Sequence, residues 1–167
     1  AFGLLGKNGL YGCHPPEPRE LTPGDVGAAV CIADIEHLSI GIVRHSRAET
    51  QGLRIGLATD TGGGSSFSML RTMAAAYEIG QLRGRALHAS QLLWLATQGS
   101  AQALRLDHQI GNIARGHTAD LIALNLASTP AIAQRHDMAT DLWESIFATI
   151  MMGDDRAIAQ VWSTGAG

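Results

Sequence analysis

In the run GLRIGLATDTGGGSSFSML, Gly52 to Leu70, a single acid stands where a short apolar stretch gives way to three glycines. That acid is Asp60. A carboxylate there can ligate a divalent cation or accept a proton from a nucleophile. The C-terminal end of a buried parallel strand is where β/α barrels gather their reactive side chains. Gly62, Gly63 and Gly64 leave room beside it and admit backbone angles that other residues resist. An Asp before a glycine-rich loop also serves as a turn cap, because its side chain can bond backbone N–H groups nearby. Position alone leaves both readings of Asp60 open. A phosphate cradle is the third use of a glycine loop that opens a helix. The order TDTGGGSS fits neither phosphate-binding pattern, G-x-x-x-x-G-K-[ST] or G-x-G-x-x-G. No Lys follows, and Asp60 would repel the anion.

The other chemistry-bearing residues are scattered. Seven histidines are present, at positions 14, 37, 45, 88, 108, 117 and 136. None forms His-x-His or His-Glu-x-x-His, so each alone reads as a loop or surface histidine, and His117, in a glycine turn, as solvent-facing. No Pro-Cys-x-x-Cys occurs, which excludes the compact zinc site of cytidine deaminases. No Gly-x-Ser-x-Gly occurs, which weakens a serine-hydrolase reading. Trp94, Trp143 and Trp162 sit in periodic runs and read as packing residues. Asp154-Asp155 follows a helix stop and reads as a solvated turn.

Composition bounds the partners. The 167 residues are 46% hydrophobic and 16% charged, with net charge −3, the balance of a folded globular chain. There is no basic block to hold nucleic acid or an anionic membrane surface. No apolar run approaches the roughly 20 residues of a membrane span. The opening AFGLLGKNGLYG lacks the charged and apolar regions of a signal peptide. The absence of an initial Met suggests a piece of a longer protein. Cys13 and Cys31 lack the spacing of a disulfide framework or zinc pair, and reduced, cytoplasmic thiols are expected.

Elements must then place Asp60. The first 50 residues are the least regular, and CHPPEPRELTPGD holds four of the five prolines. Strands are expected at Gly27–Ile35 and Leu38–Val43. Leu53, Ile55 and Leu57 alternate with Arg54, Gly56 and Ala58, which predicts a short strand with small residues on its second face. Phe67, Leu70, Ala74, Tyr77 and Gln81 follow helical spacing. They predict a helix from Phe67 to Leu82, capped by Ser65 or Ser66 and ended near Gly84. Ser90 is expected to cap a second helix that Gly99 terminates, and SAQALRL makes a short third. Turns at Gly111-Asn112 and Arg115-Gly116 precede a strand from Leu121 to Leu126. A last helix is expected with Thr140 as cap, Leu142, Ile146 and Ile150 on one face and Gly153 as stop, and a final edge strand follows. Alternating strand and helix indicate an α/β fold, with a smaller β unit after the turns.

The stretch from Gly56 to Arg71, GLATDTGGGSSFSMLR, resembles the guanine deaminases, zinc enzymes of the amidohydrolase superfamily. The likeness continues through LLWLATQGSAQALRLDHQIGNIARGHTADLIALNL, similar to that superfamily's passage from barrel to β domain, and through MMGDDRAIAQVWSTG. It implies the C-terminal part of a metal-dependent (β/α)8 TIM barrel over residues 1–106, followed by part of a small β-sandwich with one helix over residues 107–167. It implies that Asp60 ends the last barrel strand, touches Zn2+ and carries a proton. The implied reaction is hydrolysis of guanine to xanthine and ammonia in purine catabolism. The implied partner is a small purine, with no nucleic acid or membrane, and a homo-oligomer is an open expectation; as a partial barrel, the isolated chain has open sheet edges and is expected to self-associate.

Departures from that pattern limit what carries over. A full barrel takes roughly 250 residues. The His-x-His of the family's first strand, the histidine of its fifth and the upstream part that reads the purine edge are absent. His14 lies near the place of a further histidine ligand, with YGCHPPEPREL standing where Gly-His-Cys-Ile-His-Leu is expected. VCIADIEHLSIG replaces the family's His-Cys-Pro-Thr-Ser-Asn. Written as GCC GAC ATC GAA CAC, Ala33 to His37 read one base later give Pro-Thr-Ser-Asn. The expectation is a local frameshift over residues 13–44, restored before His45, which the coding DNA decides. The chain by itself is then expected to be an inactive part of an enzyme. The alternative is a related amidohydrolase acting on another purine or a pyrimidine.

Overall fold

The structure, a computed structural model, describes residues 4–6, 9–11, 28–31, 54–59, 66–82 and 84–164. Strands β1 (Leu4–Gly6) and β2 (Gly9–Tyr11) pair antiparallel, with Leu4 opposite Tyr11 and Gly6 opposite Gly9. This pair lies in the stretch where the sequence showed least regularity. Strand β3 (Ala28–Cys31) pairs in parallel with β4 (Ile55–Ala58), with Ala28 opposite Ile55 and Cys31 opposite Ala58. A parallel pair needs a crossover between its strands, as an α/β architecture supplies. Ala28–Cys31 falls inside the expected strand Gly27–Ile35; the expected strand Leu38–Val43 lies outside the described residues.

All four residues of β4 are buried, so both of its faces are covered. Helix α1 (Met69–Leu82) follows, and its buried residues include Leu70, Met73, Ala74 and Ala76. Its cap is Ser68 rather than Ser65 or Ser66. The Ser68 hydroxyl accepts the Arg71 N–H at 3.4 Å, while Ser66 Oγ accepts the Ser68 N–H at 3.0 Å and forms the bend before the helix. That bend turns Phe67 away from the buried stripe, and it is 81% exposed. The helix ends as expected at Gly84, which adopts φ +73, a left-handed angle that glycine takes without a Cβ clash. The Arg85 N–H closes the end by donating to the Gly80 carbonyl at 2.8 Å.

Helix α2 (Ala89–Trp94) is capped by His88 rather than Ser90. His88 Nδ1 accepts the Ser90 N–H, and Gln91 Oε1 accepts the His88 N–H at 3.0 Å, a reciprocal capping box. Sequence scanning for Ser, Thr, Asp and Asn passes over an imidazole in this role. Gly99 does not terminate the helix. The chain continues through one wide turn of π-helix, Leu95–Gly99, into α3 (Ser100–Ala103) with helical angles at Gly99.

After the turns at residues 107–120, strands β5 (Leu121–Leu124) and β6 (Ile158–Trp162) pair antiparallel, with Leu121 opposite Trp162 and an irregularity at Ala123/Leu124. Strand β5 stops two residues short of the expected end, because Asn125 turns away to donate its N–H to the Ala157 carbonyl. Between the strands lie a short 3-10 turn, Asp155–Ala157, and two α-helices, where the sequence predicted one. The unforeseen one is α4 (Pro130–Asp137), opened by Thr129 as cap and Pro130 in the first turn. Replacing Thr129 with Ala removes the acceptor of the Ile132 N–H and is expected to cost about 1 kcal/mol. That corresponds to a midpoint about 2–4 °C lower in a thermal melt. An unchanged midpoint would mean that burial of Ile132 alone sets the helix start.

Helix α5 (Leu142–Met152) is capped by Asp141 rather than Thr140; Asp141 Oδ1 accepts the Glu144 N–H at 2.9 Å. Thr140 is bound in return, its N–H donating to Glu144 Oε2 at 2.7 Å. The buried face of α5 is Ser145, Ala148, Thr149 and Ile150, so Ile150 packs inward as expected while Leu142 is 59% exposed. Gly153 ends the helix as expected. The core is continuous: Leu57 of β4, Leu70 and Met73 of α1, Leu92 of α2 and Ile150 of α5 form one buried cluster. Tyr77 meets Phe147 edge to face at 4.8 Å between ring centres, which ties α1 to α5. Among the described residues no helix is long and apolar enough to cross a membrane.

Candidate active site

The site is built around the exit of β4. Asp60 directly follows Thr59, the last described residue of that segment, and both Asp60 and His14 lie outside the described residues. What the structure describes is the scaffold that delivers position 60. Strand β4 is gripped on one edge by β3 and on one face by the helix around Gly99 and Ser100. A Cβ at Gly56 would run into Ser100 Cα and Oγ and lie 2.8 Å from its nitrogen. A Cβ at Gly99 would lie 3.0 Å from the Ile55 carbonyl and 2.8 Å from the Trp94 ring. The two glycines thus let a helix lie directly on a strand. This explains why Gly99 stands within a helix that propensity would end there, and why the second face of β4 carries only small residues.

Ser100 Oγ fills the crossing. It lies 3.0 Å from the Leu57 carbonyl of β4 and 2.8 Å from the Leu95 carbonyl of its own helix, both acceptors for its one proton. Leu57 is three positions before Asp60. On the far side of the glycine loop, the paired hydroxyls of Ser66 and Ser68 fix where α1 begins. Sequence reasoning passed over Ser100; the pairing of Gly99-Ser100 with Gly56 was the available signal, legible only once helix and strand are known to cross.

The remaining candidates are dispersed. His88 caps α2 and meets Trp143 edge-on at 5.9 Å. His136 Nδ1 bonds Ser145 Oγ at 2.8 Å, between α4 and α5. His108 contacts its neighbour Gln109. His117, expected to face solvent, is partly buried, and its Nδ1 is sealed from water with no hydrogen-bond partner among the described residues. The reason is that the 107–120 turns fold back onto the helix: Gly111 packs against Ala101 and Gln98, and the Thr118 N–H donates to the Gln109 carbonyl. Asp154 is part of a turn, as expected. It forms a forked ion pair with Arg156 at 2.6–3.1 Å. The hydrogen bonds from Arg156 hold its carboxyl below the usual carboxylate range, and Asp154 in turn raises the Arg156 guanidinium.

Among the described residues no three His, Cys, Asp or Glu side chains converge to hold a metal ion. Asp60 offers an oxygen donor of the type that zinc accepts, and His14 a nitrogen donor. A closed ligand set would need side chains beyond those two.

Comparison with known proteins agrees with this scaffold. Guanine deaminase of Escherichia coli K12 is 33% identical over 168 residues, which cover 98% of this chain and 38% of that enzyme. The solved E. coli guanine deaminase superposes with a TM-score of 0.75 at 34% identity, covering 83% of this chain and 32% of that one. The guanine deaminase structure from Bradyrhizobium japonicum gives 0.65 at 28% identity, covering 84% and 37%. The chain therefore spans well under half the length of these relatives, and its architecture is that of part of a TIM-barrel-type domain. The amidohydrolase family pattern matches residues 11–166, and the chain belongs to the amidohydrolase family.

Proposed function

We propose that this chain is the C-terminal part of a guanine deaminase, which hydrolyses guanine to xanthine and ammonia once the rest of the barrel is present. The observation that carries this reading is the likeness to guanine deaminase, 33% identical over 98% of the chain and superposing with a TM-score of 0.75; the buried strand β4 that precedes Asp60 and the glycine loop in sequence fits it. In the same reading residues 1–106 belong to the barrel and residues 107–167 to a small composite β unit, supported by the antiparallel β5–β6 pair after a turn-rich stretch. The enzyme is read as cytoplasmic; the 167-residue chain alone, a partial barrel with open sheet edges, is read as self-associating.

Zinc, when bound, supplies a water acidic enough to ionise near neutral pH. Asp60 accepts the proton released as water adds to the amino-bearing carbon. The amine must be protonated to leave as ammonia, and a carboxyl that has just gained a proton at the same spot can return it. Gly62 to Gly64 add no side chains to the space a flat purine needs.

Metal analysis and the loss of guanine absorbance test the reading. The 167-residue chain alone is expected to hold less than stoichiometric zinc and to show no turnover. A complete enzyme carrying this segment is expected to deaminate guanine in preference to adenine or cytosine. Activity on cytosine but not guanine would overturn the substrate assignment.

A further inference from the structure

We infer that Ser100 is a positioning residue for the end of β4: its hydroxyl, bridging the Leu57 and Leu95 carbonyls, sets where the strand delivers position 60. The catalytic meaning of this inference rests on the role proposed above for Asp60; its geometric content does not.

The argument starts from the strand. A strand at the end of a sheet is held along its edges by ladder hydrogen bonds, but its depth against the covering layer is set by side chains. On β4 that layer is unusually close. Gly56 carries no side chain, and the helix backbone at Ser100 occupies the space one would take. With so little side-chain material between the two elements, one polar contact fixes their offset: Ser100 Oγ reaches the Leu57 carbonyl at 3.0 Å, 43 residues away in sequence. The same oxygen lies 2.8 Å from the Leu95 carbonyl, five residues back across the wide helical turn. A wide turn of this kind is costly and recurs beside functional sites. Here it ends at Gly99 and delivers Ser100 to the strand. A serine hydroxyl has one proton to share between the two carbonyls, and the crossing is partly buried, so loss of the hydroxyl removes that donor and lets the strand shift against the helix. A shift of about 1 Å at a catalytic group is enough to slow a reaction by up to about 100-fold.

The test separates position from stability. In the 167-residue chain carrying Asp60→Cys, iodoacetamide labelling of the thiol at position 60 is followed by peptide mass, at a temperature where circular dichroism shows the folded state. Adding Ser100→Ala is expected to change that rate by about threefold or more, in line with altered access at a displaced strand end. Ala103→Gly, which weakens the same helix without touching the hydroxyl, is expected to leave it within about 1.5-fold. Should Ser100→Ala fail to fold, Ser100→Cys, slightly larger and with a weak donor, is expected to show a change at position 60 as well. Equal effects from the serine and alanine substitutions, or no effect from the serine one, would overturn the inference. In an active complete enzyme, Ser100→Ala is expected to lower kcat about 10-fold with KM within twofold; an unchanged kcat would confine Ser100 to packing. Retained activity in Asp60→Asn would sink the catalytic role of Asp60 while leaving the labelling result standing.

Discussion

Asp60→Asn in a complete enzyme carrying this segment is expected to lower kcat by about 10²–10⁴-fold, the range that a positioned acid–base group contributes. The substitution keeps the size of the side chain and one carbonyl oxygen but removes the group that can take and return a proton. Guanine binding, which the reading assigns to parts of the barrel outside this chain, is expected to survive, so KM should change far less than kcat. Steady-state kinetics with guanine, together with zinc content of each preparation, checks both statements. If Asp60→Asn keeps its zinc and loses kcat, the carboxylate acts on protons. If it loses zinc in proportion to activity, its main task is to hold the metal. Full activity would return Asp60 to the turn-cap reading that the sequence left open.

The second large effect is on folding. Gly56→Ala places a methyl group against the Ser100 Cα, a backbone atom that cannot rotate aside. Inserting a methyl group into a packed core costs about 1–3 kcal/mol and occasionally more. The helix–strand crossing has no flexible side chain to absorb it, so the upper end is expected. For a chain of this size, about 3 kcal/mol corresponds to a thermal midpoint lower by about 6–12 °C. Thermal unfolding followed by circular dichroism measures it, and a midpoint within about 2 °C of the parent would show that the strand and helix can separate without penalty. The same substitution pushes Ser100 away from Leu57, so labelling or activity at position 60 should move with it.

Much of this organisation was legible in one dimension. The apolar alternation before Asp60 predicted β4, and the helical spacing from Leu70 to Gln81 predicted the body of α1, with Gly84 as its stop. The resemblance carried by Gly56 to Arg71 led to the amidohydrolase family, and the family match over residues 11–166 agrees. These features survive because they depend on local rules: period of side chains, turn chemistry, and a motif whose residues are neighbours in sequence.

Helix starts were misplaced by a residue or two. Ser68, His88 and Asp141 do the capping predicted for neighbouring hydroxyls, since several adjacent residues can accept the same N–H and packing selects among them. Helix α4 was missed although Thr129-Pro130 is a start signal, because an eight-residue helix has too little periodicity to stand out. Gly99 was misjudged for a different reason. Glycine is a poor helix former on its own, so local propensity reads it as a stop, yet the strand lying against it leaves no room for any other residue.

The sequence by itself singled out Asp60, an acid after an apolar stretch and before three glycines, as the candidate for chemistry, because residue type and local order are properties of a short segment. Only the tertiary structure decided how the strand before it is held. Gly56 lies more than 40 positions from the adjacent Gly99 and Ser100 and shares no pattern with them in the chain, but the three meet where a helix crosses β4. The contact is set by excluded volume and by one hydroxyl between two carbonyls, and neither exists until the strand and the helix are packed together.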